Sequence, residues 1–341
     1  MKTCYIHVGF HKTGSTSFQQ FCGNNRNLLE KSDLYYPKFQ YPPQKGNLWN
    51  HTGPISMIYK RGRITLSEKS SNSKDRNDLL TMNQKAHLKA LEQEKNLLIS
   101  GEGLSCLTHD CYQRLIEDLS DYGYNIKVFA VVRPPYSFAC SALQEKIKGG
   151  RYSRLIGLNP SSRKRQVKLN EIPHRSTSIA TLREVFGANI QFHPFSKALA
   201  HPEGPIGFCW EQLSLPLPWT STEMTSTVHN ISLNNLQTRI FNRINQELRG
   251  QRNKAQRSKS GLKLIRQSME SLKSGRFLLT EQEFSFIEEH YIKIKQDMEQ
   301  LLGPSFTEED LVFSDPEIKS DAVIDALARC SALLINNSRT P

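Results

Sequence analysis

Apolar residues recur along this chain in two rhythms. Nearly unbroken apolar runs at residues 3–10, 96–101, 125–133 and 189–194 read as strands buried on both faces, because a strand with one wet face would alternate apolar and polar positions. Between them the spacing changes to threes and fours. Phe18, Phe21, Cys22, Leu28 and Leu29 share one face of a helix predicted over Ser17 to Lys31, and Tyr112, Leu115, Ile116 and Leu119 mark another. Phe138, Ala139, Ala142, Leu143 and Ile147 mark a third, which starts at Pro134-Pro135, runs to about Lys148 and leaves Ser137, Ser141 and Lys148 on its opposite side. Strands alternating with helices predict right-handed crossovers and an α/β fold, a doubly wound parallel sheet flanked by helices.

Two stretches break the rhythm. Residues 38–75, with Pro42-Pro43, Gly46, Gly53 and a serine-rich end, and residues 149–176 are read as irregular excursions over the functional edge of the sheet, where they would shape an acceptor pocket. Trp49, Tyr35, Tyr36 and Tyr41 in or near the first would stack on a ligand or, the favoured reading, join a satellite core. Near the end, Ile287, Tyr291, Ile294, Met298 and Leu301 form a helical stripe, and Ala322 to Ile335 is either a further docked helix or a loosely held tail. The division that follows is an α/β domain over residues 1–276 and an acidic helical extension over 277–341, packed on the same domain.

The chemistry concentrates where the first strand ends. Tyr5-Ile6-His7-Val8-Gly9-Phe10 runs into His11-Lys12-Thr13-Gly14-Ser15-Thr16-Ser17 and then a helix. Such a turn binds anions: Gly14 lets the backbone approach a ligand, the hydroxyls of Ser15, Thr16 and Ser17 add donors, the helix start offers unbonded N–H groups, and Lys12 adds a full charge. In a Walker A loop the lysine follows the second glycine. Here it precedes its glycine. The other reading of these residues is an ordinary strand-to-helix turn with a Ser/Thr cap.

Two more strands deliver polar residues at their ends. Asn125 to Val132 ends in Arg133, with Ser141 eight residues further on, so both would converge on one phosphate; otherwise Arg133 caps the sheet and Ser141 is solvated. Asn96 to Gly101 ends in Glu102, flanked by Gly101 and Gly103, at the edge of a parallel sheet where ligands bind. Glu102 would serve as a base, or cap the next helix, or pair with Lys12, and His11 and His51 are alternative bases.

Together these motifs resemble the sulfotransferases that use 3′-phosphoadenosine 5′-phosphosulfate (PAPS). Lys-Thr-Gly-Ser-Thr-Ser after an apolar strand is similar to their 5′-phosphosulfate loop, and the Arg133–Ser141 spacing is similar to their 3′-phosphate element. The order of elements looks like bacterial carbohydrate-type sulfotransferases over roughly residues 3 to 240. The resemblance implies a P-loop-like sheet, PAPS as co-substrate without metal, and a donor site of Lys12, Thr13, Gly14, Ser15, Thr16, Ser17, Arg133 and Ser141. It implies Lys12 and Glu102 as catalytic residues, Glu102 as the base, and a hydroxylated, carbohydrate-like acceptor, to which the basic stretches described next add the option of an acidic one. The chain departs from the soluble small-molecule group in lacking a tryptophan after the loop hydroxyls. It also carries only a loose echo of the Arg-Lys-Gly donor loop, at Arg257 to Gly261.

Charge keeps two other readings open. The chain has 341 residues and a net charge of +12. Residues 142–176 hold nine Lys/Arg against two Glu and residues 239–276 eleven against two, whereas residues 277–341 hold thirteen Asp/Glu against five Lys/Arg. A basic middle suits a polyanionic donor, and it also suits nucleic acid. No helix-turn-helix, zinc-finger or RNP signature accompanies it, and the basic runs lack interleaved aromatics, so nucleic acid is not the expected partner. The other competitor is a phosphotransferase or nucleotide kinase, which would need magnesium, and which the lysine order opposes.

Seven cysteines, an odd number without paired spacing, suggest reduced thiols in the cytoplasm, and Cys106 and Cys111 lack partners at zinc-ligand spacing, so no metal is expected. The first strand begins at once, leaving no room for a signal peptide, and no apolar run is long enough to span a membrane. Glycosylation-type triplets at Asn230 and Asn336 would have no meaning in that compartment.

Overall fold

The computed structural model describes residues 2–41, 49–60, 73–157, 175–216, 233–247 and 275–315, with Ile324 and Leu327. The Arg257 to Gly261 echo, both glycosylation-type triplets, Cys330, and most of the irregular and basic stretches read above lie outside these residues.

Five parallel strands form one sheet: β1 (Thr3–Val8), β2 (Leu34–Tyr35), β3 (Asn96–Gly101), β4 (Asn125–Val132) and β5 (Ile190–Pro194), in the order β2-β3-β1-β4-β5. The fold is thus the expected α/β parallel sheet with flanking helices. Each long strand lies within two residues of its expected bounds, and β2, two residues long, is too short for periodicity to reveal.

The helix expected over Ser17 to Lys31 is two helices, α1 (Ser15–Asn24) and α2 (Arg26–Lys31). Asn25 breaks them, because its backbone N–H and its side-chain amide both donate to Phe21 O, and that terminates α1. The 38–75 excursion contains order as well: α3 (Thr52–Tyr59) lies inside it, and α4 (Ser73–Leu91) begins before its end. Next come α5 (His109–Asp121), α6 (Pro135–Lys148), α7 (Ser176–Phe186), α8 (Phe195–Ala200) and α9 (Gly204–Glu211).

The described chain forms two compact units. The first comprises Met1–Pro134, Arg175–His229 and Asp297–Glu308; the second comprises Pro135–His174, Asn230–Gln296 and Glu309–Pro341. The first unit holds the sheet. Tyr5, Leu98, Phe129 and Val131 on one sheet face pack with Phe18, Phe21 and Cys22 of α1 and with Phe208, Cys209 and Trp210 of α9. Cys4, Ile6, Val8, Leu97 and Ile99 on the other face are equally buried. Trp49 packs on this core too, its ring lying directly over Gly23, and Tyr36 is buried within it. These two aromatics are therefore core residues, while Tyr35 and Tyr41 are partly exposed.

In the second unit α6 packs against the helix Asn235–Glu247. Arg239 and Glu283, each 1% exposed, form a two-pronged ion pair there, with Nη1 to Oε1 at 2.6 Å and Nη2 to Oε2 at 2.9 Å. Every remaining lone pair and proton of the pair meets backbone or a neighbouring side chain: Glu283 also accepts from the N–H groups of Gly157 and Thr280, and Arg239 also donates to Gly157 O, Leu278 O, Ser314 Oγ and Asn235 Oδ1. The carboxylate of Glu309 accepts from the N–H groups of Tyr136 and Ser137 in the first turn of α6. Of the predicted stripe Ile287, Tyr291, Ile294 and Met298 are buried and Leu301 is half-buried, and of the final segment only Ile324 and Leu327 are described, both exposed.

Candidate functional site

The sheet order builds the site. After β1 the chain leaves toward β2 on one edge, and after β4 it leaves toward β5 on the other, so the adjacent carboxyl ends of β1 and β4 form the crevice where parallel α/β sheets bind ligands. The loop of residues 9 to 14 leaves β1 there. Its path is set by backbone: Gly9 N–H donates to Gly101 O at 3.1 Å, extending the β1–β3 ladder one step. A side chain at Gly9 would meet Ser15 Oγ at 2.8 Å and Glu102 Cα at 3.0 Å.

Lys12 and Gly14 both adopt left-handed backbone, with φ of 69° and 83°. For lysine that conformation is uncommon and costs energy, as strained residues at functional loops do. At Gly14 two constraints coincide, since a Cβ there would also lie 2.6 Å from Pro205 Cβ at the start of α9.

Inside the loop the hydroxyls divide by role. Thr13 Oγ1 donates to Phe10 O at 2.7 Å and lies 3.1 Å from Ser15 Oγ, and both side chains are buried. They hold the loop from within. Thr16 is exposed and Ser17 half-buried. Gly14 is the residue before α1 and no side chain caps the helix; Ser17 and Phe18 N–H turn back to Gly14 O, while Ser15 and Thr16 N–H have no carbonyl one turn earlier to bond. The loop therefore presents backbone N–H groups and the positive end of a helix, with Lys12 beside them.

Glu102 follows β3 and starts a 3₁₀ turn, Glu102–Cys106. Gly101 and Gly103 on either side let Thr52 at the start of α3 press onto the turn; a Cβ on either would lie within 2.6 Å of a Thr52 side-chain atom, and Gly103 N–H donates to Thr52 Oγ1 at 2.8 Å. The parallel register that sets Val8 beside Gly101 carries the residues just beyond into contact. His11 Nδ1 lies 3.0 Å from Glu102 Oε2, and Thr16 Oγ1 donates to Glu102 Oε1 at 3.0 Å. Burial acts to raise the Glu102 pKa, but the His11 hydrogen bond and charge, the Thr16 hydrogen bond and the Lys12 charge outweigh it, and the carboxyl sits below its ordinary value.

On the other side of β1, Arg133 Nη1 donates to Lys12 O at 3.1 Å, and its guanidinium lies 5.0 Å from the Phe195 ring centre. Arg175 is the residue that sequence reasoning missed. It ends the second irregular stretch, lies 5.9 Å from the Phe10 ring centre and interacts with Cys106 and Glu102; burial is the leading reason its pKa falls below the ordinary arginine value. No signal marked it, because arginines are common in that basic stretch.

The structure thus gathers His11, Lys12, Thr13, Gly14, Ser15, Thr16, Glu102, Arg133 and Arg175 at one sheet edge. Ser141 lies half-buried on α6 in the second unit. His51 is buried, with Nε2–H donating to Pro37 O and Nδ1 accepting from Ser100 N–H, so both ring nitrogens serve the backbone. Burial pushes its pKa down to about 3. Among the described residues there is no His/Cys/Asp/Glu cluster able to hold a metal and no helix long and apolar enough to cross a membrane. No disulfide joins the six described cysteines.

No family model matches the chain, and no curated protein matches it significantly. Among solved structures, that of a retinol dehydratase in complex with androsterone and the inactive cofactor PAP is similar over 92% of this chain and 83% of that one, at 12% identity and a TM-score of 0.32. So distant a likeness bears no weight, and the chemistry rests on the site.

Proposed function

We propose that this protein is a sulfotransferase, moving a sulfuryl group from PAPS to the hydroxyl of a carbohydrate, a glycolipid sugar or another hydroxylated and conceivably acidic acceptor in the cytoplasm. One observation carries the reading. A lysine that precedes its glycine stands on a helix-starting anion loop, and the same loop hydrogen-bonds a carboxylate delivered by the neighbouring strand.

The residues present suit such a donor. Lys12 and the N–H groups at the start of α1 match a dianionic leaving phosphate, and Arg133, which donates to the carbonyl of Lys12, is a cation suited to the 3′-phosphate. PAPS, when bound, supplies the sulfuryl group and departs as 3′-phosphoadenosine 5′-phosphate. Lys12 stabilises the charge that develops on the leaving oxygen; the base role, read on Glu102, falls to Glu102 or to its partner His11. Positioning and charge stabilisation then supply most of the rate, by analogy with phosphoryl transfer.

Calorimetric titration of 3′-phosphoadenosine 5′-phosphate, without magnesium and with ATP as competitor, tests the proposal. Micromolar binding that is lost in Arg133→Ala and not matched by ATP supports it. With PAPS, Lys12→Ala should lower turnover by about 10²- to 10³-fold. Absence of binding, or a preference for magnesium-ATP, overturns the sulfotransferase in favour of the phosphotransferase.

A further inference from the structure

Resting on the sulfotransferase reading, we infer that the group receiving the acceptor's proton is His11 Nε2, and that Glu102 is a positioning residue acting through the imidazole. The geometry divides the labour. Each oxygen of Glu102 already accepts a hydrogen bond, Oε2 from His11 and Oε1 from Thr16. The carboxylate is also the more enclosed partner, with side-chain exposure of 21% against 47% for His11. An ionised carboxylate only accepts hydrogen bonds, so the 3.0 Å contact places the proton of a neutral His11 on Nδ1. The lone pair is then on Nε2, at the far corner of the ring, on an exposed residue one position before Lys12.

The same arrangement couples the two halves of the reaction. Residues on both sides of Gly14, His11 before it and Thr16 after it, grip the one carboxylate. A loop closed around the donor's anionic groups therefore also fixes the base. In the transfer step the acceptor O–H bond breaks as its proton moves to His11 Nε2, the acceptor oxygen bonds to sulfur, and the sulfur bond to the 5′-phosphate oxygen breaks with its electron pair leaving on that oxygen, beside Lys12. The imidazolium formed faces Glu102, whose charge stabilises it.

Among the described residues, the charged and titratable groups around this ring are Glu102 from the β3 turn, Lys12 from its own loop, and, through Glu102, Arg175 and the buried His7. The test uses the full chain with PAPS and water as acceptor, followed by release of 3′-phosphoadenosine 5′-phosphate between pH 5 and 9, in wild type, His11→Asn and Glu102→Gln. His11→Asn should keep 3′-phosphoadenosine 5′-phosphate binding within about threefold, lower turnover by about 10²- to 10³-fold, and change the shape of the pH profile. Glu102→Gln should lower turnover less, by about 10- to 100-fold, because the imidazolium loses its counter-charge.

Nitrogen-15 NMR of the histidines supplies a second readout independent of turnover. Neutral His11 should carry its proton on Nδ1. Abolished turnover in Glu102→Gln beside a nearly intact His11→Asn, or a neutral His11 protonated on Nε2, overturns the assignment. Failure of wild type to bind 3′-phosphoadenosine 5′-phosphate removes the sulfotransferase reading itself, while the NMR result still decides how the pair is protonated.

Discussion

Two acid–base pairs in this molecule have nearly the same chemistry and different surroundings. Arg239–Glu283 is sealed, with every polar atom matched inside its unit, whereas His11–Glu102 stands at the open edge of the sheet. A saturated, dry pair is committed to holding structure, because disturbing either partner strands a charge. A pair with one free ring corner and a neighbouring lysine can exchange a proton and remain folded. The contrast shows that the sequence neighbourhood of a charged residue says little about its use; what decides is how many of its hydrogen-bonding positions the fold has filled.

The largest effect that would sharpen this contrast is in stability. Arg239→Ala should destabilise the protein by about 3–5 kcal/mol, since Glu283 is left buried and uncompensated, and denaturant unfolding would measure it. Glu102→Gln should shift the same curve by only about 1 kcal/mol or less. Equal losses at the two positions would break the distinction.

Acid offers a second approach. Burial depresses the pKa of His7 and of His87 to about 4, and of His51 to about 3, so the folded state excludes protons that the unfolded chain binds below pH 6.5. Stability is therefore full above about pH 6.5 and falls as the pH drops toward 4, by about 1.4 kcal/mol for each unit that separates a folded from an unfolded pKa. The depressed Glu102 adds loss of the same sign at the acid end. Thermal melts across this range should show a steadily falling midpoint; a flat one would mean that the rings are wet.

A further test concerns the loop between β1 and α1. Gly14→Ala should lose about 1–3 kcal/mol, from a left-handed φ and a clash with Pro205 together. Gly123→Ala, at a φ of 74° but with nothing within 4 Å, isolates the backbone share and should lose less. Indistinguishable melts for the two variants would remove Pro205 from the account.

Much of this was legible in the chain. The long strands announced themselves because both of their faces are buried, and the turn from β1 into α1 because glycine, lysine and hydroxyls cluster between an apolar strand and a helix. Asn25 was not read as a break, since its effect depends on a side-chain bond back to Phe21 that periodicity does not encode. Nor were Thr13 and Ser15 separable from Thr16, because which hydroxyl turns inward follows from the left-handed bends at Lys12 and Gly14. The contact of His11 with Glu102 spans ninety-one positions of sequence and appears only once the β1–β3 register is known.

Pro205 has one more implication. β1 and the loop after it leave the ribosome before the rest of the sheet, yet the central strand gains its second neighbour only when β4 is made, and Gly14 has no wall behind it until the start of α9 follows. During synthesis the site is thus written early and assembled late. A nascent chain released before that wall emerges would carry the motif in full without the rigid loop that the folded protein builds from it.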